Sequence, residues 1–429
     1  MCIFYRVEDT ILPNSIPNSN ANERNKSKLL NNYSLLLAVV FGGFLIFGFS
    51  ENIKGPAIPR IQSDLSLDEF QIGLLLALNS LGYLLACSFT GALSRKIGIK
   101  LTTMLSFGSM ALSGVFIYFA STYATFALSY FFLYIGNGLL EIALAILAAR
   151  IFTRNTGMMM NLAHFFYGLS SMIAPLLAAS LMGVPLFGSE LGWRGMYALM
   201  LALSLLPMIP SVVSRVPGDD MKEEVRLPMK SFLRDRTAWL IVGVLSLGVT
   251  SELAVGGWLV NYLEKVYDWS GDASAAMLSA FFLCFMLARL LLGPLTDKFG
   301  YTLSIIVLSA FSGICAFAAI AAGEPGAVLF AVAGIGIAPI YPTVMALLAK
   351  RYPNGTETAI TFTVTLMGIA GVIGNFLIGA ITDLFKGMSD GSIIIGLQAG
   401  YSFIAACAIL CSLIAIVLYR HLKRRGELL

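Results

Sequence analysis

The chain has 429 residues, 58% hydrophobic and only 12% charged, with a mean hydropathy of +0.83. No water-soluble domain of that length hides so much apolar surface, so lipid is its solvent, and a net charge of +4 on such a chain carries no nucleic-acid signature. No Walker A segment, zinc helix, nucleotide fold or nucleophile–base pattern occurs, which excludes ATP as the direct energy source, argues against an enzyme, and leaves no cofactor or metal to expect.

Met1 to Asn32 is polar and Asn-rich without the apolar stretch of a secretion signal, and reads as a flexible cytoplasmic tail. Six apolar runs long enough to cross the hydrocarbon follow at 33–58, 69–93, 101–120, 123–149, 158–183 and 193–214. Residues 215–236 form the longest and most charged loop, with Asp219, Asp220, Glu223 and Glu224, and read as a solvated linker. Six more runs lie at 237–263, 273–296, 301–322, 325–349, 358–384 and 393–420, and 421–429 is a second cytoplasmic tail. The basic residues test this count. With both termini in the cytoplasm, 22 of the 28 Lys and Arg fall in inside segments, 5 fall outside, and Arg289 stays within a span. An odd miscount would scramble that asymmetry, so the expectation is a multi-pass, all-α protein of the cell membrane with twelve transmembrane helices. Cys87, Cys284, Cys315, Cys407 and Cys411 fall in apolar runs without metal spacing and read as packing residues.

The second set of spans repeats the first at an offset of about 200 residues. Gly91-Ala92-Leu93-Ser94-Arg95-Lys96-Ile97-Gly98 recurs as Gly293-Pro294-Leu295-Thr296-Asp297-Lys298-Phe299-Gly300, each time in a basic gap between two spans. Ser50-Glu51 recurs as Ser251-Glu252, Gly136-x-Gly138 as Gly334-x-Gly336, and Gly168 as Gly368. Two similar six-helix bundles, 33–214 and 237–420, can open a site between them to either side in turn.

Polar groups inside the spans carry the functional argument. Glu51 lies near the outer end of the first span, beside Lys54 and Arg60, and reads as part of a surface ion pair or a rim residue before a coupling acid. Asn79 and Tyr83 are one helical turn apart on the second span and are candidates to line a cavity. Glu141, nine residues before Arg150, sits roughly 14 Å from the cytoplasmic edge. A bare carboxylate at that depth costs several kcal/mol, so it must be protonated, paired or facing water, and a group so poised can take up and release protons. Asn161 and His164 lie at nearly the same depth on the next span, where an imidazole can share a proton with Glu141, bind substrate or serve packing alone. Glu252, with Trp258, Asn261 and Tyr262 after it, combines an acid, an aromatic plate and an amide; that set suits a sugar or another amphipathic solute, and equally an interfacial aromatic belt. Arg289 reads first as snorkelling to the cytoplasm, with pairing to a cavity carboxylate or an anionic substrate as the alternative.

These residues resemble the major facilitator superfamily over about 35–420. The two Gly-x-Leu-x-x-Lys-x-Gly segments occupy the place of its loop motif, with the usual acid present as Asp297 in the second copy and replaced by Arg95 in the first. The resemblance therefore implies gating by Gly91, Arg95, Gly98, Gly293, Asp297 and Gly300, with Arg289 four residues upstream of Gly293 placed in the same group. More narrowly, Glu141, Asn161-Leu162-Ala163-His164-Phe165-Phe166-Tyr167-Gly168, Pro175, Glu252-x5-Trp258-x3-Tyr262, Arg289-x3-Gly293 and Gly336-Ile337-Ala338-Pro339-Ile340-Tyr341-Pro342-Thr343 look like the fucose-permease-like sugar transporters. That likeness implies proton coupling through the acid of the fourth span. The resulting expectation is a monomeric secondary transporter that moves a small polar solute, foremost a sugar, by alternating access with proton symport. Glu141 leads as proton carrier, followed by Glu252 and Glu51, while His164, Asn161, Trp258, Asn261, Asn79 and Tyr262 contact substrate. The rivals are proton-driven efflux of amphipathic drugs and a non-transporting sensor or scaffold.

Overall fold

The structure, a computed structural model, describes residues 19–67, 69–186, 189–217 and 228–428. The first half contains α1 (Ser19–Asn52), α2 (Lys54–Leu65), α3 (Glu69–Ile97), α4 (Ile99–Phe119), α5 (Tyr123–Ile151), α6 (Thr156–Met182), α7 (Gly192–Ala202) and α8 (Leu205–Val213). After α9 (Met229–Arg234), the second half contains α10 (Arg236–Tyr267), α11 (Gly271–Phe299), α12 (Tyr301–Ala322), α13 (Val328–Ile337), α14 (Ile340–Arg351), α15 (Thr356–Met388) and α16 (Ile393–Arg425). Among the described residues, ten helical stretches are long and apolar enough to cross a membrane. Together with α3 and α6 they occupy the twelve places expected from hydropathy.

Three spans are broken, each at a proline that cannot donate to the carbonyl four residues back. Pro56 leaves the carbonyl of Asn52 without that donor between α1 and α2, and Pro207 does the same to Leu203 between α7 and α8. Pro339 and Pro342 release Ile335 and Ala338 at the junction of α13 and α14. Two details differ from expectation. The first helix starts at Ser19, within the segment read as a flexible tail, and α9 falls inside the segment read as linker. A two-residue antiparallel ribbon, Pro185–Leu186 with Ser189–Glu190, also joins α6 to α7. The acidic linker residues 219, 220, 223 and 224 lie outside the described residues.

Helix pairing repeats between the halves. Contacts of α3 with α5, α1 with α6 and α4 with α7 in the first half recur as α11 with α13, α10 with α15 and α12 with α16 in the second. Glycines allow the closest approaches: a methyl on Gly138 would stand 2.6 Å from the Tyr83 carbonyl on α3, and one on Gly336 would stand 2.3 Å from the Leu308 carbonyl on α12. Large apolar side chains such as Leu128, Leu291 and Phe376 are more than half exposed on the outer surface of the bundle, which is stable only against hydrocarbon. The halves meet most extensively at two crossings, α6 against α11 and α3 against α15, with α14 also touching α5 and α6 and α15 touching α5.

Candidate functional site

Between the halves lies a cavity of about 330 Å³, walled by α1, α2, α3, α5, α6, α10, α11, α14 and α15. At its base Glu141 of α5 accepts a 2.7 Å hydrogen bond from the Tyr341 hydroxyl of α14, so the contact joins the two halves. The second carboxyl oxygen of Glu141 is buried without a protein partner. The His164 ring packs between Phe44 and Tyr341, with centroids 4.4 and 4.9 Å away, and its Nε2 is likewise unpartnered. Three cavity polar groups thus converge on a space with hydrogen-bonding capacity left over.

Arg289, 2% exposed, spans the same floor. Its Nε donates to the Ala338 carbonyl at 2.9 Å, Nη1 to the His164 carbonyl at 3.3 Å and Nη2 to Glu252 at 3.4 Å, while the guanidinium lies 4.1 Å from the centre of the Phe285 ring. The Ala338 acceptor is available because Pro342 has no N–H to claim it. Sequence alone favoured snorkelling for this residue; four buried interactions hold it in the cavity instead, away from the loop contacts with which it had been grouped.

Toward the other end of the cavity, Glu51 accepts from Asn137 at 2.8 Å and from Lys54 at 3.2 Å. Lys54 donates to the Tyr134 hydroxyl at 3.0 Å, and Ser50 to Asn137 at 2.8 Å. Glu51 therefore belongs to the cavity wall rather than to a surface rim. Each of the two cavity cations stands beside a carboxylate, Lys54 by Glu51 and Arg289 by Glu252, and Glu141 alone faces a hydroxyl.

The basic ends of the helices close the cavity from below. Asp297, at the end of α11, accepts from the backbone N–H groups of Gly157 and Met158 at 2.9 and 2.7 Å. These are orphan donors of the first turn of α6, whose cap residue Asn155 makes no side-chain capping bond. Thr296 and Asn161 pack into the same crossing, where a methyl on Gly293 would stand 3.0 Å from the Asn161 Cβ and 3.1 Å from the Met158 Cα. In the other crossing, Arg95 donates to Thr358 at 3.2 Å, Ser94 donates to Glu357 at 3.3 Å, and Arg150 of α5 forms an ion pair with Glu357 in the first turn of α15. Lys350 adds a 2.7 Å bond to the Thr153 carbonyl. Gly98 and Gly300 have φ of 86° and 89°, so each sharp turn into the following helix needs a residue without a Cβ.

Several expected substrate contacts fall elsewhere. Tyr262 is fully buried among the rings of Tyr267, Phe330 and Tyr401, and Trp258 packs near Gly379, so both belong to helix packing rather than to the cavity wall. Asn161 donates to the Gly157 carbonyl of its own helix and lies against Gly293. Asn79 is buried beside Ser80, which does line the cavity, and its own amide atoms have no partner. The side chain of Asn261 lies outside the described residues. Sequence reasoning offered Lys54 as an ion-pair partner of Glu51, which the structure pairs with it, gave no role to Tyr134, Asn137 or Glu357, and named Tyr341 only within a motif. Glu357 was findable: it stands 200 positions after Gly157, at the helix start opposite the other copy of the loop.

A family model described as Major Facilitator Superfamily matches residues 40–374 and again 254–427. The chain belongs to the major facilitator superfamily. It is 22% identical over 409 residues to the L-fucose-proton symporter of Escherichia coli (strain K12), covering 87% of this chain and 93% of that relative. Among solved structures it resembles the transporter FucP in its outward conformation, with a TM-score of 0.76, 18% identity, and coverage of 90% of this chain and 99% of that one. The proton:xylose symporter XylE bound to 6-bromo-6-deoxy-D-glucose superposes with a TM-score of 0.72 at 14% identity, covering 89% of this chain and 94% of that one. This membership makes the protein a multi-pass membrane transporter rather than an enzyme, and gives it the fold of its superfamily.

Proposed function

We propose that this transporter takes up a small, uncharged, polyhydroxylated solute, a sugar, together with protons, by rocking of 33–214 against 237–420 about the linker 215–236. The observation that carries the reading is the Glu141–Tyr341 contact between the halves, at the floor of a cavity closed at its basic end. Protonation removes the charge that a buried carboxylate must otherwise keep compensated, so a proton on Glu141 lowers the cost of the occluded state. Release of that proton on the far side resets the cycle. Glu252 and Glu51 are each neutralised by a cation, which supports Glu141 as the first carrier and suits a substrate without net charge. Aromatic faces from Phe47, Tyr83, Tyr134 and Tyr167 offer stacking for sugar C–H groups, and His164 and Tyr341 offer hydrogen bonds. The sugar symporters among the relatives support the same substrate class.

The basic end faces the cytoplasm of a cell membrane in this reading, with both termini inside, and the conformation is outward-facing. One chain supplies both halves of the cavity, so a monomer suffices. Proteoliposomes with an imposed inward proton gradient and a panel of labelled sugars test the proposal. Wild type accumulates one or more sugars against their gradient, whereas Glu141→Gln retains exchange and loses accumulation. Equal accumulation by the two proteins removes Glu141 from the coupling role.

A further inference from the structure

A second pocket, about 460 Å³, opens at the basic end between the halves and takes no part in the transport site. Its wall includes Arg95 and Arg150 from the first half, and Lys350, Gly355, Thr356 and Glu357 from the second. Among the described residues, three cations against one carboxylate leave two positive charges in one concavity. The first turn of α15 also contributes, because Gly355 at its cap has no side chain with which to satisfy the orphan N–H groups. Guanidinium groups and a helix start whose cap residue makes no side-chain bond are the usual furnishings for a tetrahedral oxyanion, and a phosphate monoester carries about −1.5 to −2 charges at neutral pH. A carboxylate would neutralise only half of the excess.

We propose that this pocket binds a phosphate group, as inorganic phosphate or a phosphomonoester, and that the anion clamps the basic end shut. It would draw Arg95 and Arg150 of one half and Lys350 and the α15 start of the other onto one ligand, so its affinity is higher when the halves are together. A ligand that prefers one conformation shifts the population toward it. In the orientation proposed above, phosphate inside the cell holds the transporter outward-facing and slows uptake. Binding itself does not depend on the sugar reading, and the test is arranged accordingly.

The full chain in nanodiscs of zwitterionic lipid is dialysed to equilibrium against radiolabelled inorganic phosphate at constant ionic strength. The expected result is saturable binding of one equivalent per chain, weakened about tenfold in Lys350→Gln and in Arg95→Gln, as for loss of one charge-assisted hydrogen bond. Lys350→Arg keeps the charge and retains binding, and Lys265→Gln, at the opposite end of the molecule, leaves it unchanged. Replacing part of the lipid with phosphatidic acid identifies the source of the phosphate: competition by the lipid that is lost in Lys350→Gln assigns the site to a headgroup, and no competition assigns it to soluble phosphate. Absence of saturable binding to wild type in both lipid mixtures, or equal binding by wild type and both Gln variants, overturns the proposal. Failure of sugar uptake with phosphate binding intact would count against the transport reading and leave this one standing.

Discussion

The two crossings that close the basic end share one geometry with opposite placement of charge. Where α11 meets α6, the loop carries the acid, Asp297, and the facing helix start offers two bare amides. Where α3 meets α15, the loop carries Arg95, and the acid, Glu357, has moved to the helix start. Both arrangements put a carboxylate at the positive end of a helix, which is where the backbone dipoles favour it. The exchange has a consequence. Asp297 is satisfied by two backbone N–H groups and the Tyr301 hydroxyl, all neutral donors, whereas Glu357, on its own helix, takes a cation from elsewhere, supplied by Arg150 on α5. The first crossing is therefore a capping contact and the second a three-helix ion pair, so the second is the more dependent on side chains.

This contrast can be broken at several points, read as the distance between spin labels at Lys96→Cys and Lys298→Cys, exposed positions on opposite halves of the basic end. Arg150→Met leaves Glu357 without its cation. It should raise the ratio of open to closed molecules by roughly 10- to 100-fold, the equivalent of about 1.5–3 kcal/mol for a lost hydrogen bond to a charged group. An unchanged distance distribution would show that the ion pair does not hold the crossing. Gly91→Ala places a methyl 2.0 Å from the Thr361 hydroxyl, and the expected overpacking cost is about 1–3 kcal/mol. The same change at Gly293 meets its nearest atom only at 3.0 Å, so it should open the seam less. Thr361→Ala added to Gly91→Ala should restore closure; failure to do so would assign the effect to something other than that contact. Asp297→Asn has the smallest expected effect, about 0.5–1 kcal/mol, because an amide oxygen still accepts one helix N–H while the charge at the helix end is lost. An effect of Asp297→Asn larger than that of Arg150→Met would reverse the proposed ranking of the two crossings.

How far the chain could be read in advance depended on which coordinate was needed. Depth along a helix follows from 1.5 Å per residue and from the basic residues that mark its end, which puts Glu141 and His164 at one level; in the structure both meet Tyr341. Azimuth around the helix was not available. Trp258 and Tyr262 share α10 with Glu252, yet Tyr262 turns into aromatic packing and Trp258 toward Gly379, while Glu252 faces the cavity. Arg289 shows the same limitation: its long side chain could reach the cytoplasm or the cavity, and carbonyls on two other segments decided for the cavity. Glu357 leaves no trace among the recurring residues of the repeat, because its partner position holds glycine, Gly157, and the charge has changed sides.

Hydropathy, a sum over many residues, determined the solvent and the places of the spans, and motifs recurring at one offset determined the repeat. Such averages tolerate local error. The partners of Glu141, Arg289, Asp297 and Glu357 were decided by tertiary structure alone, because each comes from a helix distant in sequence. A rotation of a few tens of degrees about any of those helix axes would change the partner without altering the hydropathy that specifies the span.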